Sequence, residues 1–268
     1  MNRRSPPLRS LWLAAGLLFL YTPIISLIVY SFNSSKLVTV WAGFSTQWYG
    51  ALFHDRQILG AALLSGKIAF LSATLATLLG TLAAVVLSRH GPFRGRALFS
   101  ALVGAPLVMP EVISGLALLL LFVALEHSIG WPPTRGMLTV IIAHTTLAMS
   151  YVTVVMQSRL VGIDPALEEA AQDLGASPLK AFLSVTLPII SPALVAGWLL
   201  AFTLSLDDLV VSSFVSGPGA STLPMIIYSK VRLGISPEIN ALATLLILAV
   251  AVAVTLAGYL VRERDVRE

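Results

Sequence analysis

The sequence predicts an all-α integral membrane protein with about six transmembrane helices, and three observations predict it. Hydrophobic residues fill 57% of the 268 positions while Asp, Glu, Lys and Arg together fill 11%, against roughly 25% charge in a soluble domain. Apolar runs recur that are long enough to cross a hydrocarbon core of about 30 Å, which takes roughly 20 helical residues because backbone amides there have only one another to bond. The basic residues gather at the ends of these runs. The formal net charge of +4 therefore reflects membrane topology, and a nucleic-acid partner is not expected. With no cysteine, and with His54, His90, His127 and His144 dispersed, disulfides and thiolate sites are excluded and no metal-ligand spacing is present, so no metal and no cofactor is expected.

The uncharged stretches place spans at Leu11–Ser31, Ala61–Leu87, Leu98–Leu125, Met137–Ser158, Ile189–Val215 and Ala241–Val261. The first follows Arg3, Arg4 and Arg9 in the manner of a secretory signal, but its apolar stretch is too long and no small-residue cleavage pattern follows Tyr30, so it reads as a retained helix. An even number of spans puts both termini on one side. One face collects Arg3, Arg4 and Arg9, then Arg89, Arg94 and Arg96, then Arg159 and Lys180, then Arg262, Arg264 and Arg267. The other holds Lys36, Arg56, Arg135, Lys230 and Arg232. Basic flanks stay cytoplasmic, so both termini are expected in the cytoplasm. Residues 1–60 then form an N-terminal helix with a periplasmic segment, and residues 61–261 the main transmembrane domain. The outer segment Phe32 to Gly60 carries Trp41, Trp48 and Tyr49, rings that suit an interfacial belt or a docking surface for an external partner.

Between the fourth and fifth spans lies DPALEEAAQDLGASPLKAFLSVTLP, residues 164–188. Asp164 is a good N-cap with Pro165 at the first helical position, Glu168 and Glu169 suit the positive end of the helix dipole, and Gly175 can take a left-handed cap. Ser177 then caps a second helix from Pro178, whose Leu179, Phe182, Leu183 and Thr186 recur at helical spacing until Pro188. Such an elbow, acidic then apolar, fits a groove on another protein or lies on the lipid surface.

Glu169, Ala170 and Ala171, Gly175 four residues beyond, then Leu187 and Pro188, resemble the EAA loop of type I ABC importer permeases. The likeness extends to YSFNSSKLVTVWAGFSTQWYG, PLVMPEVISGL, SLDDLV and PEINALATL, which look like putrescine and spermidine permeases, and within that group like the second permease subunit of putrescine importers. It covers nearly the whole chain. The resemblance implies a type I ABC permease fold, a bacterial inner-membrane location, and a coupling role for Glu169, Ala170, Ala171 and Gly175 in a cleft of a cytoplasmic ATPase. It also implies the partners: a homologous permease subunit, a dimer of cytoplasmic ATP-binding subunits and a periplasmic polyamine-binding protein, all around a chain set in membrane lipid.

Acidic groups inside a span are costly unless they face protein, water or a cation, so each is a functional candidate. Asp207 and Asp208 lie within the fifth expected span, where neighbours on a helix point about 100° apart and cannot share one target. Trp198, Ser205, Asp208 and Ser212 form one stripe at roughly helical spacing, and Thr203, Asp207 and Val211 another. Asp208 is favoured for steadying a diamine, with Asp207 joining it or accepting hydrogen bonds from a neighbouring helix. Glu111 follows Pro106 and Pro110, which interrupt the third span. It is read either as a second anionic station in the pathway or as a stabiliser of the helix restarting there. Lys67 would repel polyamines and is expected to snorkel outward. His144 is expected to be a satisfied histidine between packed helices rather than a proton relay.

The chain lacks a phosphate loop, since Gly60 to Lys67 has one residue too many and is followed by Ile68 in place of Ser or Thr. Nucleotide hydrolysis is therefore expected in another subunit. A secondary, ion-coupled transporter of cationic amines is the rival, but no inverted repeat supports it. A membrane enzyme would need a nucleophile, metal set or histidine motif beside the carboxylates, so no catalytic residue is assigned. A purely structural scaffold for other membrane subunits is the remaining alternative, distinguished by co-purification with an ATPase and by ATP-dependent uptake.

Overall fold

The computed structural model describes residues 7–37, 40–233 and 237–265. Arg3, Arg4 and Arg267, which enter the orientation argument, lie outside these residues, as do Val38 and Thr39 of the outer segment and the side chains of Arg9, Arg262 and Arg264. Helices α1 (Pro7–Tyr30), α2 (Gln47–His54), α3 (Arg56–Arg89), α4 (Arg96–Val108), α5 (Glu111–Ile129) and α6 (Met137–Val161) are followed by α7 (Ala166–Asp173) and α8 (Pro178–Ala181). A π turn (Phe182–Thr186) then leads into α9 (Leu187–Leu206), α10 (Val210–Val215), α11 (Leu223–Leu233) and α12 (Pro237–Asp265). An isolated bridge, Asn33 to Phe44, is the sole β pairing among the described residues.

Five of these helical runs are long and apolar enough to cross a membrane: Leu11–Tyr30, Arg56–Arg89, Glu111–Ile129, Met137–Val161 and Pro178–Leu206. The sixth expected span corresponds to α12, which begins at Pro237 rather than Ala241 and is apolar through Val252. Two of the expected spans are broken, the third at the interruption that its prolines announce and the fifth where a continuous helix is expected. The third span is two helices, because Pro110 drives Met109 into extended backbone (ψ 134°) and itself caps α5, whereas Pro106 is tolerated inside α4. The fifth breaks after Leu206 and restarts at Val210. It also starts earlier than expected. Pro188 does not end the second limb of the elbow, since the π turn before it widens the backbone where a proline ring would otherwise crowd the preceding turn, and α8 runs through into α9.

The chain divides into two packed units, residues 1–59 with 227–268, and residues 60–226. In the first, α12 packs on α1 and α2. The outer segment is organised by Asn33, fully buried, whose amide nitrogen donates to the Val40 carbonyl at 2.8 Å and whose side-chain oxygen accepts from Ala42 N at 3.0 Å and Ser35 N at 3.2 Å. The Trp48 indole donates to the Asn33 carbonyl at 2.6 Å, and Tyr49 turns its hydroxyl to Ser31 Oγ, 2.7 Å away. The three rings therefore do not form one exposed belt or docking face. Trp48 is buried and Tyr49 half-buried, leaving Trp41 on the surface.

Asp55, between α2 and α3, accepts Lys230 Nζ at 2.7 Å and the amides of Gln57 and Ile58 at 2.9 and 3.1 Å. The lysine bond holds its carboxyl below the ordinary value of 3.8, outweighing the opposite pull of burial. The two side chains are 24% and 26% exposed, so the pair contributes no more than about 1 kcal/mol. A depressed folded-state pKa gives stability that is complete above the unfolded value and lost as pH falls through the folded one. Asp55→Asn is therefore expected to lower thermal stability by a margin that is constant from about pH 7 to 5 and is lost as pH falls through the depressed folded-state value. Melting of wild type and variant across that range checks it, and a margin already lost by pH 5 would assign the effect to another group.

The second unit is built on α3, α6 and α9. Ala73, Ala76, Ala148, Val152, Ile190 and Ala201 meet in its core, and the small residues let backbones approach closely. Gly80 marks one close approach of α3 to α6, where a Cβ would stand 2.8 Å from the Met149 carbonyl oxygen and 2.9 Å from Val152. A second cluster gathers Ile68, Phe122, Val140, Val211 and Val215.

Candidate functional site

The two broken spans meet at one cleft. The end of α4 (Pro106, Met109), the start of α5 (Glu111, Ser114), the middle of α6 (His144, Leu147, Ala148, Tyr151) and the end of α9 (Leu204, Ser205) with Asp208 line it. Helix breaks free backbone groups, which apolar surroundings tolerate only where protein or a water-filled cavity satisfies them. At the second break a side chain does so. Asp208 Oδ1 accepts Val211 N at 3.2 Å and Oδ2 accepts Ser212 N at 2.7 Å, capping α10. Oδ2 also lies 3.0 Å from His144 Nε2, which stands 3.0 Å from Ser212 Oγ as well.

His144 is 3% exposed and has partners on both ring nitrogens, since Nδ1 lies 2.6 Å from Ser205 Oγ. Because a carboxylate only accepts, the Asp208 contact places a proton on Nε2. Ser205, Asp208 and Ser212 thus converge on one imidazole instead of forming a bare stripe. His144 received no site role from the sequence, and the signal that pointed to it was an isolated histidine in an uncharged span opposite serines bracketing an aspartate.

The cleft brings Asp208 and Glu111 together and leaves the other two expected pathway residues out. Asp207 is exposed and absent from the lining. Its divergence from Asp208 does not come from the 100° step of a continuous helix, because the chain is not helical at Asp208. Trp198 does not continue the Ser205, Asp208, Ser212 stripe. Its indole donates to Thr74 Oγ1 at 3.1 Å, its ring stacks on Phe202 with centroids 5.2 Å apart, and Phe70 meets it edge-on at 5.6 Å. Lys67 is exposed beside Phe70 and Met137, apart from the cleft. Within the cleft, two carboxylates among Leu, Met, Pro, Ala and Tyr offer charge to a cation and apolar contact to a carbon chain.

The second candidate region is the 164–188 segment. Asp164 Oδ1 accepts Ala166 N at 3.0 Å at the start of α7, Gly175 adopts φ +91° at its end, and Ser177 Oγ accepts Lys180 N at 3.4 Å to begin α8. Glu169 and Ala170 are exposed and Ala171 half-exposed. Glu168 is the acid held by the chain itself: it accepts a hydrogen bond from Thr186 Oγ1 and faces Arg89 Nη2 at 3.4 Å. Nothing local in the sequence separates it from Glu169, since its partners are 18 and 79 positions away in the chain.

Comparison with known proteins agrees with this architecture. The model of the binding-protein-dependent transport system inner membrane component matches residues 76–267. Putrescine transport system permease protein PotI of Escherichia coli (strain K12) is 60% identical over 264 residues, covering 97% of this chain and 94% of that protein. Spermidine/putrescine transport system permease protein PotC of the same strain is 43% identical over 258 residues, covering 96% and 95%. Among solved structures, a bacterial ABC transporter involved in the import of the acidic polysaccharide alginate superposes with a TM-score of 0.75 at 18% identity over 94% of each chain. The methionine ABC transporter MetNI gives 0.60 at 20% identity, over 76% of this chain and 94% of that one. These two show the fold alone, and it is the type I importer permease fold that the resemblance implied. Membrane-length helices interrupted around a cleft, a short two-helix excursion before the fifth span and a family match over most of the length place the chain in the family of binding-protein-dependent transport system inner membrane components, as a multi-pass membrane permease.

Proposed function

We propose that this chain is one permease subunit of an ATP-driven importer that moves polyamines, putrescine foremost, across the bacterial inner membrane. The observation that carries the reading is the 60% identity to PotI over nearly the whole length of both chains. The cleft suits it: Asp208 steadies one ammonium, Glu111 offers charge to the other, and the apolar wall takes the methylenes between. In this reading residues 1–60 are the N-terminal helix and periplasmic segment, and residues 61–261 the permease domain. Both termini face the cytoplasm. Glu169, Ala170, Ala171 and Gly175 contact the ATP-binding subunits, a homologous permease completes the pathway, and a periplasmic binding protein delivers the polyamine. Closure of the ATPases moves the 164–188 elbow and rocks the spans between inward-open and outward-open states.

Reconstitution of the complex in vesicles tests this. Putrescine uptake is expected to require ATP and the binding protein and to survive a protonophore. Uptake without ATP that collapses with the proton gradient would replace the reading with an ion-coupled carrier. Since the chain has no cysteine, cysteines introduced at Thr134, Gly91 and Ser177 report topology without background, and only Thr134 is expected to react with an impermeant reagent from outside.

A further inference from the structure

The exposed face of α7 is the one that reaches outward, yet a coupling segment must also be gripped by the spans it moves. Glu168 supplies a grip. It lies one residue before Glu169 but turns inward, where its Oε1 takes the Thr186 hydroxyl and faces the Arg89 guanidinium. Thr186 is fully buried and closes the π turn at the head of α9. Arg89 is the last residue of α3, and its Nη1 donates to the Ile163 carbonyl, just past the end of α6, at 3.4 Å. One carboxylate thus ties α7 to the ends of three membrane helices. Arg89 and Glu168 side chains are 18% and 22% exposed, sheltered enough that the contact is not that of a solvated surface pair. The π turn matters here because such bulges are local departures from helical bonding that recur at functional sites. It puts Thr186 opposite Glu168 while letting the chain pass Pro188 unbroken.

We infer that Arg89, Glu168 and Thr186 form a latch that makes α7 move as one body with α3, α6 and α9, so that motion imposed on the loop reaches the cleft walls. The inference rests on the loop contacting the ATP-binding subunits. Glu168 is then a positioning residue, transmitting force without touching ATPase or polyamine. Loosening it leaves hydrolysis running with less transport for each nucleotide consumed. The carboxylate charge matters, because Oε1 takes the Thr186 hydroxyl while facing a guanidinium, and an amide in its place keeps the acceptor but loses the ion pair.

The measurement is the ratio of putrescine imported to ATP hydrolysed by the reconstituted complex. Glu168→Gln and Thr186→Val are expected to lower that ratio about fivefold or more, the scale of a modest coupling energy between sites, with the detergent-extracted complex still assembled. Thr186→Ser, which keeps the hydroxyl, is expected to restore the ratio. An unchanged ratio in both lesions overturns the latch. So does a parallel fall of hydrolysis and uptake that Thr186→Ser reproduces, since that is the mark of packing damage alone. Failure of the loop assignment itself is read separately, from Glu169→Arg and Gly175→Phe: if both variants capture the ATP-binding subunits as wild type does, the loop does not contact them, whatever Glu168 does.

Discussion

Asp208→Asn is expected to lower putrescine uptake roughly 100-fold, because removing one member of a buried charged pair costs about 2–5 kcal/mol and each 1.4 kcal/mol is about a factor of ten. The asparagine keeps one acceptor oxygen for the amides of Val211 and Ser212, so α10 retains part of its cap. What it loses is the negative charge opposite His144 and along the cleft wall. Asp207→Asn, at an exposed position outside the lining, is expected to leave uptake within about threefold, the range of an unburied charge. Uptake by complexes of verified assembly checks both. Wild-type transport in the two variants together would remove Asp207 and Asp208 from the pathway.

Five of the six expected spans were legible because an apolar run of membrane length is a property of composition, visible without knowing what it packs against. The break in the third span was legible in part, since Pro106 and Pro110 announce an interruption, although only the backbone shows that Pro106 is absorbed and Pro110 is not. The break at Asp207 to Leu209 carries no such mark. Ser-Leu-Asp-Asp-Leu-Val reads as continuous helix until the Asp208 carboxylate is seen taking the amides of Val211 and Ser212, a competition between side chain and backbone that periodicity does not encode. His144 escaped because its partners lie 61, 64 and 68 positions away. Trp198 was misplaced because extending a 3.6-residue stripe assumes one face has one neighbour, whereas the end of α9 faces His144 and its middle faces Phe70 and Thr74. In the loop the caps were readable from Asp164, Gly175 and Ser177, whose chemistry is local. The continuation past Pro188 was not, because it depends on a π turn.

Glu169→Arg and Gly175→Phe are expected to reduce capture of the ATP-binding subunits, and with it ATP-dependent uptake, about tenfold or more, the cost of setting a wrong charge or bulk against a fitted interface. Glu169 is exposed, while the inward contacts of α7 belong to Glu168, so its reversal leaves the internal scaffold alone. Gly175 has φ +91° and no atom within 4 Å of where a Cβ would stand. Gly175→Ala thus costs only the left-handed strain, about 1–2 kcal/mol, and is expected to lower capture mildly. Gly175→Phe adds bulk at an exposed turn with open space around its Cβ position, so loss beyond that of alanine in an assembled, folded variant measures a neighbour approaching from outside. Co-purification of the ATP-binding subunits with each variant decides the matter. Equal capture by Glu169→Arg, Gly175→Phe and wild type would mean that the 164–188 elbow meets no ATPase, whereas a graded loss from alanine to phenylalanine would locate the contact at the turn.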